Sequence, residues 1–290
     1  MLVLTYIAAI LAAMMNASSA VAQRLATKKP DAKRLFSHRF AYEIFKSRLF
    51  LFGLLLQTLA ALAQAVALKN GGLIIVEPLL TSDLIFLLLI IHFKLKIRIK
   101  PRDWLAAIAV MIGLAGLFLA ANPQQGHLSY QAFPWIILAA IVTPLVVVLA
   151  IIIRRLKSAN LRALLAGIAA ATSFAMNAAL VKLSFNLFAA HGLARLLADW
   201  PVYAFIISGI ISLYLMVNAY GSGPLAISQP VMEVIEPAIA VTIGVMIFGD
   251  SYDSSLSAMA AGLGFALILI TGIILLGSSP RIQQAGEHGM

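Results

Sequence analysis

Apolar residues fill nine stretches of membrane-spanning length, near 2–22, 49–68, 72–93, 104–121, 132–153, 161–183, 202–220, 224–248 and 256–277. About 20 apolar residues cross a bilayer as a helix. The pattern predicts an all-α, polytopic membrane protein of about nine transmembrane helices. Two connections are short and Gly-rich, Asn70-Gly71-Gly72 and Gly221-Ser222-Gly223-Pro224, so the spans they join form hairpins. Between Leu35 and Phe50 the pattern changes. Phe36, Phe40 and Ile44 recur every four residues among Arg39, Lys46 and Arg48, which predicts a helix lying on the inner leaflet.

The spans also repeat. Gly71-Gly72-Leu73-Ile74-Ile75-Val76-Glu77-Pro78 aligns with Gly223-Pro224-Leu225-Ala226-Ile227-Ser228-Gln229-Pro230. Both halves then end alike, in Ala121-Asn122-Pro123 and Ser278-Ser279-Pro280. The first span resembles the sixth more weakly. Repeat partners cross in opposite senses, the fifth span being the odd one, so two inverted repeats are expected. The organisation read from this is a first repeat over 1–123 with a basic loop at 23–48, a linking span within 124–160, a second repeat over 161–280, and a tail at 281–290. Inverted repeats with Pro- or Gly-interrupted spans in matching places mark a binding site near the bilayer midplane. Pro78, Pro230 and Pro237 are those interruptions.

Polar residues inside the spans fall on narrow faces. At about 100° per residue, Gln229, Glu233 and Glu236 share an arc of about 60° on the eighth span. Glu77 and Thr81 hold the equivalent face of the third, with Asp83 about 120° from Glu77. Asn16, Ser19 and Gln23 align on the first span, Gln57 and Gln64 on the second, and Ser173 and Asn177 on the sixth. No Lys or Arg lies clearly inside these segments. A charged carboxylate at bilayer depth costs roughly 2.5–3.5 kcal/mol, so Glu77, Asp83, Glu233 and Glu236 would together cost on the order of 10 kcal/mol unpaired. Such groups mark cation or proton pathways. Oxygen ligands suit Mg²⁺, which takes one or two carboxylates, and Glu233 and Glu236 are the candidate metal ligands. Alternatively, the same pair shares a proton that is exchanged for a cationic substrate.

Only 11% of the 290 residues are charged, against about 25% in soluble domains. The net charge of +10 comes from loops rather than a nucleic-acid face. The loop after the first span holds Arg24, Lys28, Lys29, Lys33 and Arg34, and further basic residues follow the third and fifth spans. Only Lys69, Lys182 and Arg195 fall on the other side. The positive-inside rule puts the N-terminus outside and the C-terminus in the cytoplasm of a plasma or inner membrane. Residues 1–22 end in a signal-peptidase-like Ala20-Val21-Ala22, but no basic residue precedes them, and they are read as a retained helix. Trp104, Trp135 and Trp200 sit at span ends as interfacial anchors do, and Gly262, Gly264 and Gly272 suggest close packing of the ninth span. Cysteine is absent. No phosphate-binding loop, nucleophile–base pair or metal-ligand spacing is present, which argues against an enzyme.

Ala17-Ser18-Ser19 ahead of a basic loop is similar to the Gly-Ser-Ser and lysines of the drug/metabolite transporter (DMT, EamA-like) superfamily. Val76-Glu77-Pro78-Leu79 resembles the Val-Thr-Pro-Leu element of its NIPA-like branch, described as magnesium transporters. Nine spans with an outside N-terminus also suit that branch. The likeness covers nearly the whole chain, departing at Ala17, where Gly is usual, and at Glu77, where Thr is usual. It implies transport by alternating access, with Mg²⁺ as cargo. The expected partners are the lipid bilayer and a small solute or cation, with no nucleic acid and no resident cofactor. A homodimer is compatible with this, and H⁺ is the candidate coupling ion. Two readings compete with Mg²⁺ transport: proton-coupled export of a small metabolite or drug, and a membrane scaffold whose carboxyl groups only join helices.

Overall fold

The computed structural model describes residues 2–27, 35–70, 76, 79–94, 99–122, 132–253 and 255–279. They form ten α-helices: α1 (Leu2–Ala26), α2 (His38–Phe45), α3 (Arg48–Asn70), α4 (Asp83–Lys94), α5 (Pro101–Ala121), α6 (Ala132–Arg155), α7 (Ala159–Ala198), α8 (Trp200–Ser222), α9 (Leu225–Ile243) and α10 (Leu256–Gly277). There is no strand among the described residues.

Helix starts follow local chemistry. Ser37, Ser158 and Ser255 cap α2, α7 and α10 by accepting backbone N–H groups. Pro101 and Pro201 occupy first-turn positions of α5 and α8, where the missing N–H costs nothing. Asn122 ends α5 in the left-handed region, at φ 40°. A second helical break lies inside α7. Gly192 takes φ 77° there, a conformation glycine adopts without a Cβ clash.

Among the described residues, eight helices are long and apolar enough to cross a membrane. Large hydrophobic side chains project outward along them, including Phe133 and Ile141 on α6, Ile207 on α8 and Leu256 and Leu263 on α10. A face this apolar is stable against lipid and not against water, so the chain is a multi-pass membrane protein. In the third apolar segment the described residues include a turn. Leu79-Leu80 is helical, Thr81-Ser82 turns, and α4 begins at Asp83. The Ser82 hydroxyl bonds back to the Leu79 carbonyl at 2.5 Å, competing with the helical ladder. The 12 residues of α4 reach only about 18 Å.

Helix α1 packs along α3 and touches α4; α7 packs along α8 and α9, with α6 on its outer side; α5 packs along α10. The last pair meets backbone to backbone. A Cβ added at Gly113 would lie 2.7 Å from the Leu269 backbone, and one at Gly272 would lie 2.8 Å from the Ala106 carbonyl and from Val110. Gly262 and Gly264 meet nothing within 4 Å, so only Gly272 of the three has the packing role expected for them.

Two further expectations change. Helix α2 forms, but Leu35, Phe40 and Ile44 are buried among Phe50, Leu215 and Met216, so its apolar side covers the bundle instead of lipid. Trp135 is buried in an aromatic cluster, 5.9 Å from Trp200 and 5.8 Å from Phe248 by ring centroids. It is core packing rather than an interfacial anchor.

The basic helix ends meet at one end of the bundle. Arg102 Nη2 donates to Ser278 Oγ, and Arg162 Nε donates to the Ser222 carbonyl. Arg24 lies within α1, not in the following loop, and is only 3% exposed. Its guanidinium donates to the Tyr220 carbonyl and to Thr27 Oγ1, while Nε has no partner.

Candidate functional site

Between these helices lies a cavity of about 1110 Å³. Polar groups reach it from five helices: Asn16 and Ser19 of α1, Gln57 and Gln64 of α3, Lys182 of α7, Tyr220 of α8, and Gln229, Glu233 and Glu236 of α9. Thr81 and Leu80 line it at the break before α4. Leu117, Phe118, Phe174 and Met232 supply apolar walls.

Helix α9 carries the acidic face because its spacing puts Gln229, Glu233 and Glu236 on one side. Pro230 and Pro237 lie inside it. Proline has no N–H, so the Glu233 carbonyl loses the helical bond that position 237 would donate. The helix runs on to Ile243 and is followed by a π turn over Gly244–Phe248.

The acidic groups form a chain of hydrogen bonds. Tyr220 Oη donates to Gln229 Oε1 at 2.8 Å, and Gln229 Nε2 donates to Glu233 Oε1 at 2.8 Å. Asp83, from α4, lies within electrostatic reach of Glu233; it is 2% exposed and keeps one oxygen, Oδ1, without a partner. Glu233 thus has a second carboxyl group within reach from another helix, Asp83 on α4, besides Glu236 on its own helix. Glu236 stays within electrostatic reach of Tyr220. Among the described residues, no three acidic or histidine side chains gather closely enough to hold a metal ion.

Asn177 is not among the cavity-lining residues. Its amide donates to the Phe205 carbonyl at 2.9 Å and to Ser208 Oγ at 2.8 Å, joining α7 to α8. Ser173 similarly meets Ser212 at 2.8 Å. Ser19 does both jobs: it lines the cavity and donates to the Gly53 carbonyl at 2.7 Å. Gln23 donates to Ser19 Oγ and to Gln57 Oε1. Glu77 and Pro78 lie outside the described residues.

At the end away from the basic helix termini, Lys182 Nζ bonds both Asp250 oxygens, at 3.2 and 3.4 Å, and sits 4.4 Å above the Phe248 ring. Beside them Tyr252 lines the cavity. Burial first, and the Asp250 charge second, push its phenol above the usual range. Next to it the Asp253 carboxylate is held below its ordinary range by the Ser255 backbone N–H and hydroxyl. Tyr220, Lys182, Asp250 and Tyr252 are not singled out by the sequence pattern; Lys182 gives one signal, its place at the very end of the sixth apolar segment.

No protein-family model matches the chain, and no solved structure does. An uncharacterised protein of Corynebacterium glutamicum is 24% identical over 224 residues, 75% of each chain. The likeness runs through most of both chains and carries no activity with it.

Proposed function

We propose that this chain is a secondary transporter of the drug/metabolite transporter type, exchanging a small cationic solute for a proton by alternating access. The observation that carries the reading is the cavity of about 1110 Å³ lined by Glu233 and Glu236, with the buried Asp83 carboxyl within electrostatic reach of Glu233 from another helix. Asp83 and Glu233 share one proton. A monovalent cation that takes its place releases that proton, so one positive charge moves each way and the exchange is electroneutral. A cavity of this size, with apolar and aromatic walls, suits an organic cation better than a bare ion.

The architecture that would do this is two inverted halves, over 1–123 and 161–280, with α4 and the turn before it making up a ninth span. Mirrored packing supports it. Helix α1 lies on α3 and α4 as α7 lies on α8 and α9, and α5 and α10 pair with each other. The central contact is reciprocal: Gly113 faces Leu269, and Gly272 faces Val110. Clustering of the basic ends supports an outside N-terminus and a cytoplasmic C-terminus.

The test is flux in proteoliposomes loaded with Mg²⁺- and pH-indicator dyes, for wild type beside Glu233→Gln. The expected result is benzyltrimethylammonium movement coupled to opposing proton movement, insensitive to membrane potential and lost in the variant. Mg²⁺ flux that survives collapse of the pH gradient would replace this reading with magnesium transport. A wild type that moves neither cation would leave the carboxyl groups as interhelical hydrogen-bond partners of a scaffold.

A further inference from the structure

The cavity that holds the carboxyl groups also holds the chain's own cation. Lys182 stands on the face of α7 that lines the cavity, as do Phe174, Ala178 and Ala179. Side chains of a helix lean toward its N-terminus, so an unrestrained Lys182 would lie over Ala178 and Ala179, one turn further into the cavity. The alanines leave that space open. On the facing wall α9 is lined from Gly244 inward through Val241, Ala240 and Pro237 to Glu236. The eight steps from Glu236 to Gly244 amount to about 12 Å. Lysine is a compact charge on a flexible four-carbon stem, suited to swing along such a wall.

In the structure it does not swing inward. Asp250 and the Phe248 ring hold Nζ at the mouth. The hold is built with care for space. A Cβ at Gly244 would fall 2.6 Å from Asp250 Oδ2 and 3.4 Å from Tyr252 Oη, so a larger residue there pushes the carboxylate end aside. The Asp250 backbone N–H also bonds the Gly244 carbonyl at 3.0 Å.

We infer that Asp250 is a positioning residue that holds the Lys182 ammonium at the mouth, and that Lys182, once released, occupies the acidic site as a tethered competitor of the transported cation. This rests on the reading of the acidic cluster as a cation site. It makes Asp250 a determinant of affinity although it stands apart from the Asp83–Glu233 pair.

The experiment is equilibrium binding of benzyltrimethylammonium to the full-length protein in detergent. Asp250→Asn is expected to weaken binding at least tenfold, and Gly244→Ala to do the same by displacing the carboxylate. Adding Lys182→Met to either variant should restore affinity to the wild-type level or tighter, because the competitor is gone. A mouth that depended on the ion pair itself would behave oppositely, Lys182→Met alone weakening binding and the double variant staying weak; that result overturns the inference. Wild-type binding with no change in Asp250→Asn overturns it as well, while leaving the cation site standing. A wild type that does not bind the probe overturns both.

Discussion

Asp83 and Glu233 stand within electrostatic reach of each other from α4 and α9, 150 positions apart in the sequence. Under the exchange reading, that proximity lets two costly carboxyl groups share one proton, and coupling would follow from it.

Replacing Glu233 by Gln is expected to weaken cation binding about 10–100-fold, the loss of one charge-assisted contact of roughly 1.5–3 kcal/mol. Proton release on binding should vanish with it. Isothermal titration in buffers of different protonation enthalpy measures both at once. A variant that still releases a proton would move the coupling site elsewhere.

Proton and cation compete for one site, so apparent cation affinity should rise with pH, by up to about tenfold per unit where one proton is exchanged. Lowering pH returns the proton and expels the cation. An affinity flat across pH in the wild type would contradict exchange at this pair.

Asp253 gives a second pH effect, at the start of α10. Its folded carboxyl value is depressed by Ser255, so its stabilisation is present above the unfolded value of about 4 and is lost as pH falls through the lower folded value. The protection of the Ser255–Ala258 amides, taken relative to the intrinsic exchange rate at each pH, should fall on acidification across that window. In Asp253→Asn it should show no such step.

At the α5–α10 crossing, Gly113→Ala is expected to cost about 1–3 kcal/mol through overpacking against the Leu269 backbone, read as earlier thermal unfolding in detergent. Gly262→Ala, which meets nothing, should stay within about 0.5 kcal/mol of wild type. Equal effects at the two positions would refute the contact.

Asn177→Ala should separate packing from chemistry. It loses two bonds to α8, costing roughly 1 kcal/mol, and should leave cation affinity in place. A fall in affinity without a fall in stability would return Asn177 to the site.

Span positions were legible because lipid demands long apolar runs whatever they pack against. The helical face of Gln229, Glu233 and Glu236 was legible for the same reason, since periodicity needs no partner. What faces what was not. The turn at Thr81-Ser82 rotates α4 away from the straight-helix geometry that set Asp83 apart from Glu77, and hydropathy does not register a two-residue turn. Asn177 shows the same limit: its polarity announced a buried amide, but whether a small cavity or the next helix would satisfy it depended on Phe205 and Ser208. Gly262 and Gly272 read identically in sequence and differ only in having a neighbour.

Arg24 closes one end of the bundle by reaching the Tyr220 carbonyl, 196 residues later in the chain. At about 5–20 residues per second of synthesis, that acceptor is made about 10–40 s after the guanidinium that needs it. Over that interval Arg24 has Thr27 of its own segment to bond, and its long stem lets the guanidinium reach the lipid headgroups. The burial of α1's last turn is thus a late event in biogenesis, timed by the completion of α8. A truncation that ends before Tyr220 should leave Arg24 open to water-soluble arginine reagents that the full chain resists.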